Sequence, residues 1–276
     1  MTYFGFLARF LGPPLLLLIL LTLWDQRRGR TLPQTLRSWP AHFVILAHVI
    51  VAVLYTTPWD NYLVATGVWW YNPQLVTGLV LGWVPIEEYT FFVLQTLMAG
   101  LWIVFLARRL GPMPPLAAQS ATSIRWLATA LAGALWLGSL MLLLSGWQPG
   151  TYLALILVWA LIPITLQLAL GADILWRQRR LVFWSLIPAT VYLAVGDAVA
   201  IHSGTWTVDP AQSTGIFLGN LPLEEFIFFL VTNTLVVFGM ILVLAEESQT
   251  RAPQALVNLL QRFTAQRPVD IHPVNH

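Results

Sequence analysis

The sequence predicts an all-α polytopic membrane protein of about seven transmembrane helices, arranged as two parallel three-helix repeats joined by a linking helix. Three observations carry that expectation. Of 276 residues, 58% are hydrophobic and only 9% charged, more apolar surface than a single water-soluble core can hide. Apolar runs of bilayer-crossing length fall at 4–24, 41–57, 76–106, 124–145, 150–171, 181–201 and 213–244. Finally, a segment of the first half returns in the second half without a gap.

Taken in chain order, the spans place arginine on one side. Arg27, Arg28, Arg30 and Arg37 follow the first span, and Arg108, Arg109 and Arg125 the third. Arg177, Arg179 and Arg180 follow the fifth, and Arg251, Arg262 and Arg267 the seventh. With the amino terminus outside and the carboxyl terminus inside, all of them face the cytoplasm, as the positive-inside rule requires; Arg9 dissents. The opposite loops carry Asp60, Asp197, Asp209 and His202. A multi-pass protein of the cytoplasmic (plasma) membrane is expected. The first run is long, lacks a small-residue cleavage site and precedes arginines, so it reads as an anchor rather than a cleaved signal. After Glu246 the chain turns polar, with an amphipathic piece at Pro253–Phe263 suited to the membrane surface. The expected units are residues 1–110, a first three-helix unit; 111–149, the linking helix; 150–245, a second three-helix unit; and 246–276, a cytoplasmic tail.

Composition also excludes chemistries. Without cysteine there is no disulfide, thiolate nucleophile or iron–sulfur cluster. Without lysine there is no Schiff base to retinal or pyridoxal phosphate and no P-loop. The net charge of +2 comes from arginines between spans, which set topology and imply no nucleic-acid partner. Lipid is the surrounding this composition calls for.

The repeat aligns Asp60–Thr96 with Asp197–Asn233 at a constant offset of 137 (197 − 60 = 137), and thirteen of the 37 positions are identical. Apolar bias would align leucines and valines. It would not align Asp60 with Asp197, Trp69 with Trp206, Gly82 with Gly219, Pro85 with Pro222, Glu87 and Glu88 with Glu224 and Glu225, and Phe91 and Phe92 with Phe228 and Phe229. Spans one to three thus correspond to spans five to seven, and a single linking span brings the second copy back in the same direction.

The third run is longer than the roughly 20 residues a straight crossing needs, and Pro85 stands well inside it. A proline there breaks the helix near Trp83 and Val84 and starts a new segment. Glu87 and Glu88 then occupy its first turn, where free amides and the helix dipole favour a carboxylate. Helical spacing puts Glu87 beside Phe91, and Glu88 beside Phe92 and Gln95. The second copy places Glu224 beside Phe228, and Glu225 beside Phe229 and Thr232. Pro-x-Glu-Glu is also an ordinary helix start, and at the interface the glutamates would simply cap it. At bilayer depth, by contrast, each ionised carboxylate costs about 2.5–3.5 kcal/mol, and ionisable groups there are functional by default. Two adjacent buried carboxyls can share one proton and stand ready to give or accept it.

Acids, aromatic rings and a dry chamber suit cation chemistry on an olefin. A carboxylic acid protonates one double bond, a second double bond attacks the carbocation, and a carboxylate removes a different proton. Aromatic faces stabilise the passing positive charge by about 2 kcal/mol when dry.

The doubled Pro-x-Glu-Glu-(Tyr/Phe)-x-Phe-Phe motif, each copy after a Trp- and Gly-containing segment, resembles the integral-membrane, cofactor-independent lycopene cyclases of carotenoid biosynthesis, in their fused two-unit form, over residues 1–245. The resemblance implies a lycopene β-cyclase type of isomerase that converts ψ ends of lycopene to β-ionone rings without net redox change, giving γ-carotene or β-carotene. It implies a lipophilic carotenoid substrate drawn from the bilayer and no cofactor; the G-x-G-x-x-G fingerprint of a flavoprotein cyclase is absent. The motif falls on Pro85, Glu87, Glu88, Phe91 and Phe92, and on Pro222, Glu224, Glu225, Phe228 and Phe229. The four glutamates are the candidate catalytic residues, and the prolines and phenylalanines are candidates for substrate binding with Gln95, whose counterpart is Thr232. Whether one or both ends of the polyene react stays open.

Other residues carry smaller expectations. Asp60 and Asp197, expected just outside the spans, are either loop hydrogen-bonders or supports for the glutamates. Trp69 and Trp206 are either belt residues at the lipid interface or part of the substrate site. His42 and His48 in the second span are either a proton partner to the acids or, as membrane histidines more often are, bonded across helices, and His202 has no partner at metal-ligand spacing. No metal site is expected, since no Asp-x-x-x-Asp pattern accompanies the glutamates. A proton-coupled transporter would also use repeats, broken helices and membrane glutamates; it differs in moving solute between aqueous sides.

Overall fold

The computed structural model describes residues 1–111 and 118–251. Among them, seven helices are long and apolar enough to cross a membrane. They are α1 (Tyr3–Arg27), α2 (Ala41–Ala65), α3 (Ile86–Ala107), α4 (Ala118–Leu144), α5 (Thr151–Arg177), α6 (Arg179–His202) and α7 (Leu223–Leu244). The chain is an all-α polytopic membrane protein. The amphipathic piece expected at Pro253–Phe263, with Arg262 and Arg267, lies outside the described residues.

Prolines shape these helices without ending them. In α1, Pro13 and Pro14 carry no amide hydrogen, and the turn before them, Leu7–Leu11, relaxes into a π-helix. Pro58 closes the second apolar run but not the helix, so α2 continues to Ala65 where the sequence suggested an end at residue 57. Asp60 and Asp197 are accordingly inside α2 and α6, 1% and 2% exposed, and not in loops outside the spans. Where α5 passes α7, Gly171 leaves helical geometry, and a side chain on it would strike Leu242.

The third and seventh spans differ most from expectation. Their helices begin at Ile86 and Leu223, not at residues 76 and 213. The preceding residues form two small hairpins, β2 (Val80–Leu81) with β3 (Val84–Pro85), and β5 (Phe217–Leu218) with β6 (Leu221–Pro222). Each turns on a glycine in left-handed geometry, Gly82 at φ 71° and Gly219 at φ 70°, a conformation that costs other residues energy. Pro85 and Pro222 are thus the residues just before the helices, and no long helix is broken at them. The hairpins expose Leu79, Val80, Trp83, Ile216 and Phe217, which is compatible with lipid around them.

Two further strands lie across the same end. β1 (Trp69–Tyr71) and β4 (Trp206–Val208) pair antiparallel, centred on Trp70 opposite Thr207, two residues separated by the repeat offset (207 − 70 = 137). Matching bonds recur around this strap. Asn72 N donates to Thr205 O and Asp209 N to Val68 O; Tyr3 N donates to Leu75 O and Tyr152 N to Gln212 O. Tyr55 and Tyr192 donate to the carbonyls of Trp159 and Phe10 at 2.9 and 2.7 Å.

At the opposite end, two aspartates gather the arginines. Asp25 accepts a two-pronged contact from Arg109 at 2.8 Å on each oxygen and has Arg30 and Arg108 nearby. Asp173 does the same with Arg251 at 2.8 and 2.7 Å, with Arg125 beside it. Paired guanidinium forks give these contacts both strength and fixed geometry. Arginines expected to act only on topology therefore also close this end of the bundle.

Candidate active site

The strap, the hairpins and the first turns of α3 and α7 enclose the glutamates. Glu87, Glu88, Glu224 and Glu225 are 1%, 4%, 0% and 5% exposed. They stand in the first helical turn, as expected, but the residues before them, Pro85 and Pro222, give no side-chain cap, and among the described residues the bonds given for the glutamates go to loops and phenols rather than to the first-turn amides. Protein, folded over the helix ends, keeps them dry.

The two members of each pair point to different partners. Glu87 Oε1 accepts the amide of Thr77 at 2.6 Å, and Glu224 Oε1 accepts that of Thr214 at 2.6 Å and its hydroxyl at 2.7 Å. These two acids hold the loops that lead into the hairpins, and each keeps its Oε2 buried without a hydrogen-bond partner. Glu88 and Glu225 each accept phenols of their own half. Tyr3 and Tyr71 donate to Glu88 Oε2 at 2.5 and 3.0 Å, and Tyr152 donates to Glu225 Oε1 at 2.7 Å. Both acids border a small cavity of about 20 Å³ with Tyr3, Trp69, Phe91, Asp197, Trp206 and Phe229.

Asp60 and Asp197 belong to this cluster. Each lies within electrostatic reach of both Glu88 and Glu225. Asp197 Oδ1 accepts the indole of Trp206 at 3.0 Å, whereas both oxygens of Asp60 and the indole nitrogen of Trp69 lack partners. The two tryptophans are 9% and 5% exposed, so neither is a belt residue: strand pairing tucks both under the strap. Tyr71 sits in β1, outside the helices. Loss of water around its hydroxyl, then the neighbouring Asp60 and Glu88, holds its phenol well above the ordinary range near 10. It therefore stays a proton-bearing donor.

Aromatic rings continue downward from the acids. Phe91 meets Phe229 edge-on at 6.3 Å, and Phe228 meets Phe229 at 5.3 Å. Trp59 lies between Trp159 and Phe228 in a stack with centroids 4.5 and 5.7 Å away. Gln95 and Thr232, matched positions of the repeat, approach at 3.5 Å between the halves. Below Phe228 opens a cleft of about 460 Å³ between α2, α5 and α7, also bordered by Phe92, Gln95 and Thr232. Pro85 and Pro222 border neither cavity and serve to start the helices. His42 is exposed, while His48 bonds the Val44 carbonyl within its own helix at 2.8 Å rather than across helices.

Sequence reasoning did not single out Tyr3, Tyr71, Tyr152, Trp59 or Trp159. One signal was present: Tyr3 and Tyr152 each open a span. Their separation of 149 (152 − 3 = 149) differs from the 137 of the motif, so a gapless comparison passes over them.

A site of buried acids bonded by phenols, lined by aromatic rings and continuous with an apolar cleft can deliver and remove protons on a hydrocarbon. Comparison with known proteins agrees with that chemistry. The family model described as Lycopene cyclase matches residues 6–106 and 149–243. A lycopene beta-cyclase of Halobacterium salinarum is 40% identical over 243 residues, covering 87% of this chain and 95% of the relative. A bifunctional lycopene cyclase/phytoene synthase of Phaeosphaeria nodorum is 37% identical over 71% of this chain and 35% of its own length, and one of Aspergillus niger is 33% identical over 70% and 33%. No solved structure matches significantly. With matches on both sides of the linking helix and an archaeal relative aligned along nearly its whole length, the chain belongs to the lycopene cyclase family.

Proposed function

We propose that this chain is a lycopene β-cyclase, closing ψ end groups of lycopene to β-ionone rings by proton-initiated isomerisation. The observation that carries the reading is the buried set Glu88, Glu225, Asp60 and Asp197, with three tyrosines around it, next to aromatic rings and an apolar cleft. A carboxylic acid gives its proton to the terminal double bond. The tertiary cation is attacked by the neighbouring double bond, forming the ring carbon–carbon bond, and a carboxylate removes a ring proton to leave the new double bond. One proton enters and one leaves, so the step needs no redox partner.

Glu88, which accepts two phenols, suits the carboxylate that receives the proton; Glu225, which accepts one, suits the acid. Glu87 and Glu224 lock the loops over the site, and their free oxygens sit one residue from the working acids. The rings of Phe91, Phe92, Phe228 and Phe229 stabilise the cation and exclude water that would trap it as an alcohol. Trp69 and Trp206 wall the acid chamber, and Gln95 borders the polyene.

The two units, 1–110 and 150–245, are related by a pseudo-twofold axis running through the Trp70–Thr207 pairing, as support from equivalent residues facing each other suggests; 111–149 links them and 246–276 forms the tail. The chain resides in the cytoplasmic membrane, amino terminus outside and carboxyl terminus inside, on the arginine pattern, and draws its carotenoid from surrounding lipid. Expression in a lycopene-accumulating cell tests the activity. The pigment is expected to shift to shorter absorption wavelength at unchanged mass, and unaltered lycopene beside well-expressed protein would reject the reading.

A further inference from the structure

Among the described residues, the cleft below Phe228 lies on the α2–α5–α7 side of the bundle, and the residues that differ at the matched place on the other side explain how it is kept open. It runs along α2 from Phe43 to Thr56, a rise of about 20 Å, and its rim includes the exposed Val51 and Tyr55. It therefore opens sideways to lipid. Phe228 borders both this cleft and the acid chamber. The polar side chains along it turn their donors into the protein: Gln95 to Thr232, Gln167 to the Leu235 carbonyl, and His48 against the Val44 carbonyl.

Gly239 keeps the wall low. A side chain there would meet His48 Nε2 at 2.5 Å and Gln167 Nε2 at 3.2 Å, so the bare backbone lets both lie flat against α7. The register of the repeat holds along these helices, since both limits of α3 and α7 are 137 apart (223 − 86 and 244 − 107). The residue matching Gly239 is Trp102. Its indole crosses from α3 to α6, donates to the Trp184 carbonyl at 3.0 Å and stacks on Phe105 at 5.5 Å. A bulky bridge thus stands where the other half has a glycine.

We propose that the cleft beside Gly239 is the single channel for the conjugated rod of a linear polyene hydrocarbon, and that Trp102 seals its counterpart. The proposal rests on the cyclase reading. One end group reaches the acids per encounter, past Phe228, while the far end trails into lipid. A second ring requires the one-ring product to leave and return reversed. Gly239 and Trp102 are then the residues that set single-ended entry.

The test uses the full chain in detergent with lycopene, reading pigment retained per chain and the time course of one-ring and two-ring products by chromatography. Free one-ring product is expected first, with two-ring product after a lag. Gly239→Trp, and independently Ala47→Trp on the facing wall, are expected to lower both pigment retention and cyclisation by about tenfold or more, in protein that still elutes as a single species. Trp102→Gly, which opens the counterpart, should shorten the lag before two-ring product, and an unchanged lag overturns the sealing role of Trp102. Two-ring product without free one-ring product, or full pigment retention in both filled variants, overturns the proposal. Cyclisation that persists in those variants would reject the channel and leave the cyclase reading standing. Pigment that is retained by the unaltered chain and lost in the variants, but never cyclised, would support the channel and reject the cyclase reading.

Discussion

The halves carry the same motif yet treat it unequally. Glu88 accepts hydrogen bonds from Tyr3 and Tyr71, while Glu225 accepts one from Tyr152, because the position matching Tyr71 is Val208. Asp197 is held by Trp206, whereas its match Asp60 has both oxygens unpartnered despite Trp69 standing at the equivalent place. Trp59 of the first half stacks between Trp159 and Phe228 of the second; its match, Gly196, instead admits the rings of Phe6 and Phe10 of the first half close to the backbone of α6. A duplicated scaffold supplies two acids at mirrored places, and substitutions around them make the two places chemically distinct. That is the arrangement an acid and a base on one substrate need.

The sharpest break comes from the acids themselves. Glu88→Gln and Glu225→Gln should each lower turnover by about a thousandfold, measured as product formed from lycopene by protein of unchanged elution. If the halves worked independently, either single variant would instead keep roughly half the rate. Next, Tyr152→Phe removes the single phenol on Glu225 and should cost about thirtyfold, against about tenfold for Tyr71→Phe, where Tyr3 still serves Glu88; equal losses would remove the distinction drawn between the sites. Smaller still, Asp25→Asn should lower the thermal midpoint more than Asp173→Asn, since Asp25 gathers three arginines and Asp173 two among the described residues, with rates unchanged at low temperature.

The mildest effect concerns alkali. The unfolded chain releases the Tyr71 proton near pH 10, while the folded chain holds it well above that. The stability this group contributes is complete below pH 10 and lost as pH rises beyond it. Tyr71→Phe should therefore flatten the fall in stability above pH 10, as followed by thermal unfolding.

Much of this was legible in the sequence, and the limits were physical. Seven spans followed from apolar run length, and the doubled glutamates from a register no lipid-facing bias could produce. The starts of α3 and α7 were misplaced because hairpins such as residues 80–85, apolar and lipid-compatible, carry the same hydropathy as helix. The end of α2 was misplaced because Pro58 is a breaker in water yet is tolerated inside a packed span. Trp69 and Trp206 looked like interfacial residues because composition reports a residue's place along the chain and not which side of a strand pair it faces. The phenols on the glutamates come from other helices, and no local pattern announces them.

The paired strands at Trp70 and Thr207 act like the spring of a clothes-peg. They clamp the two halves at the acid end, whereas at the arginine end the salt links given for Asp25 and Asp173 close each half on itself, so the halves part more freely toward the arginine end. Lateral pressure in that leaflet, set by acyl-chain length and headgroup crowding, then becomes a throttle on turnover that no change at the acids would reveal.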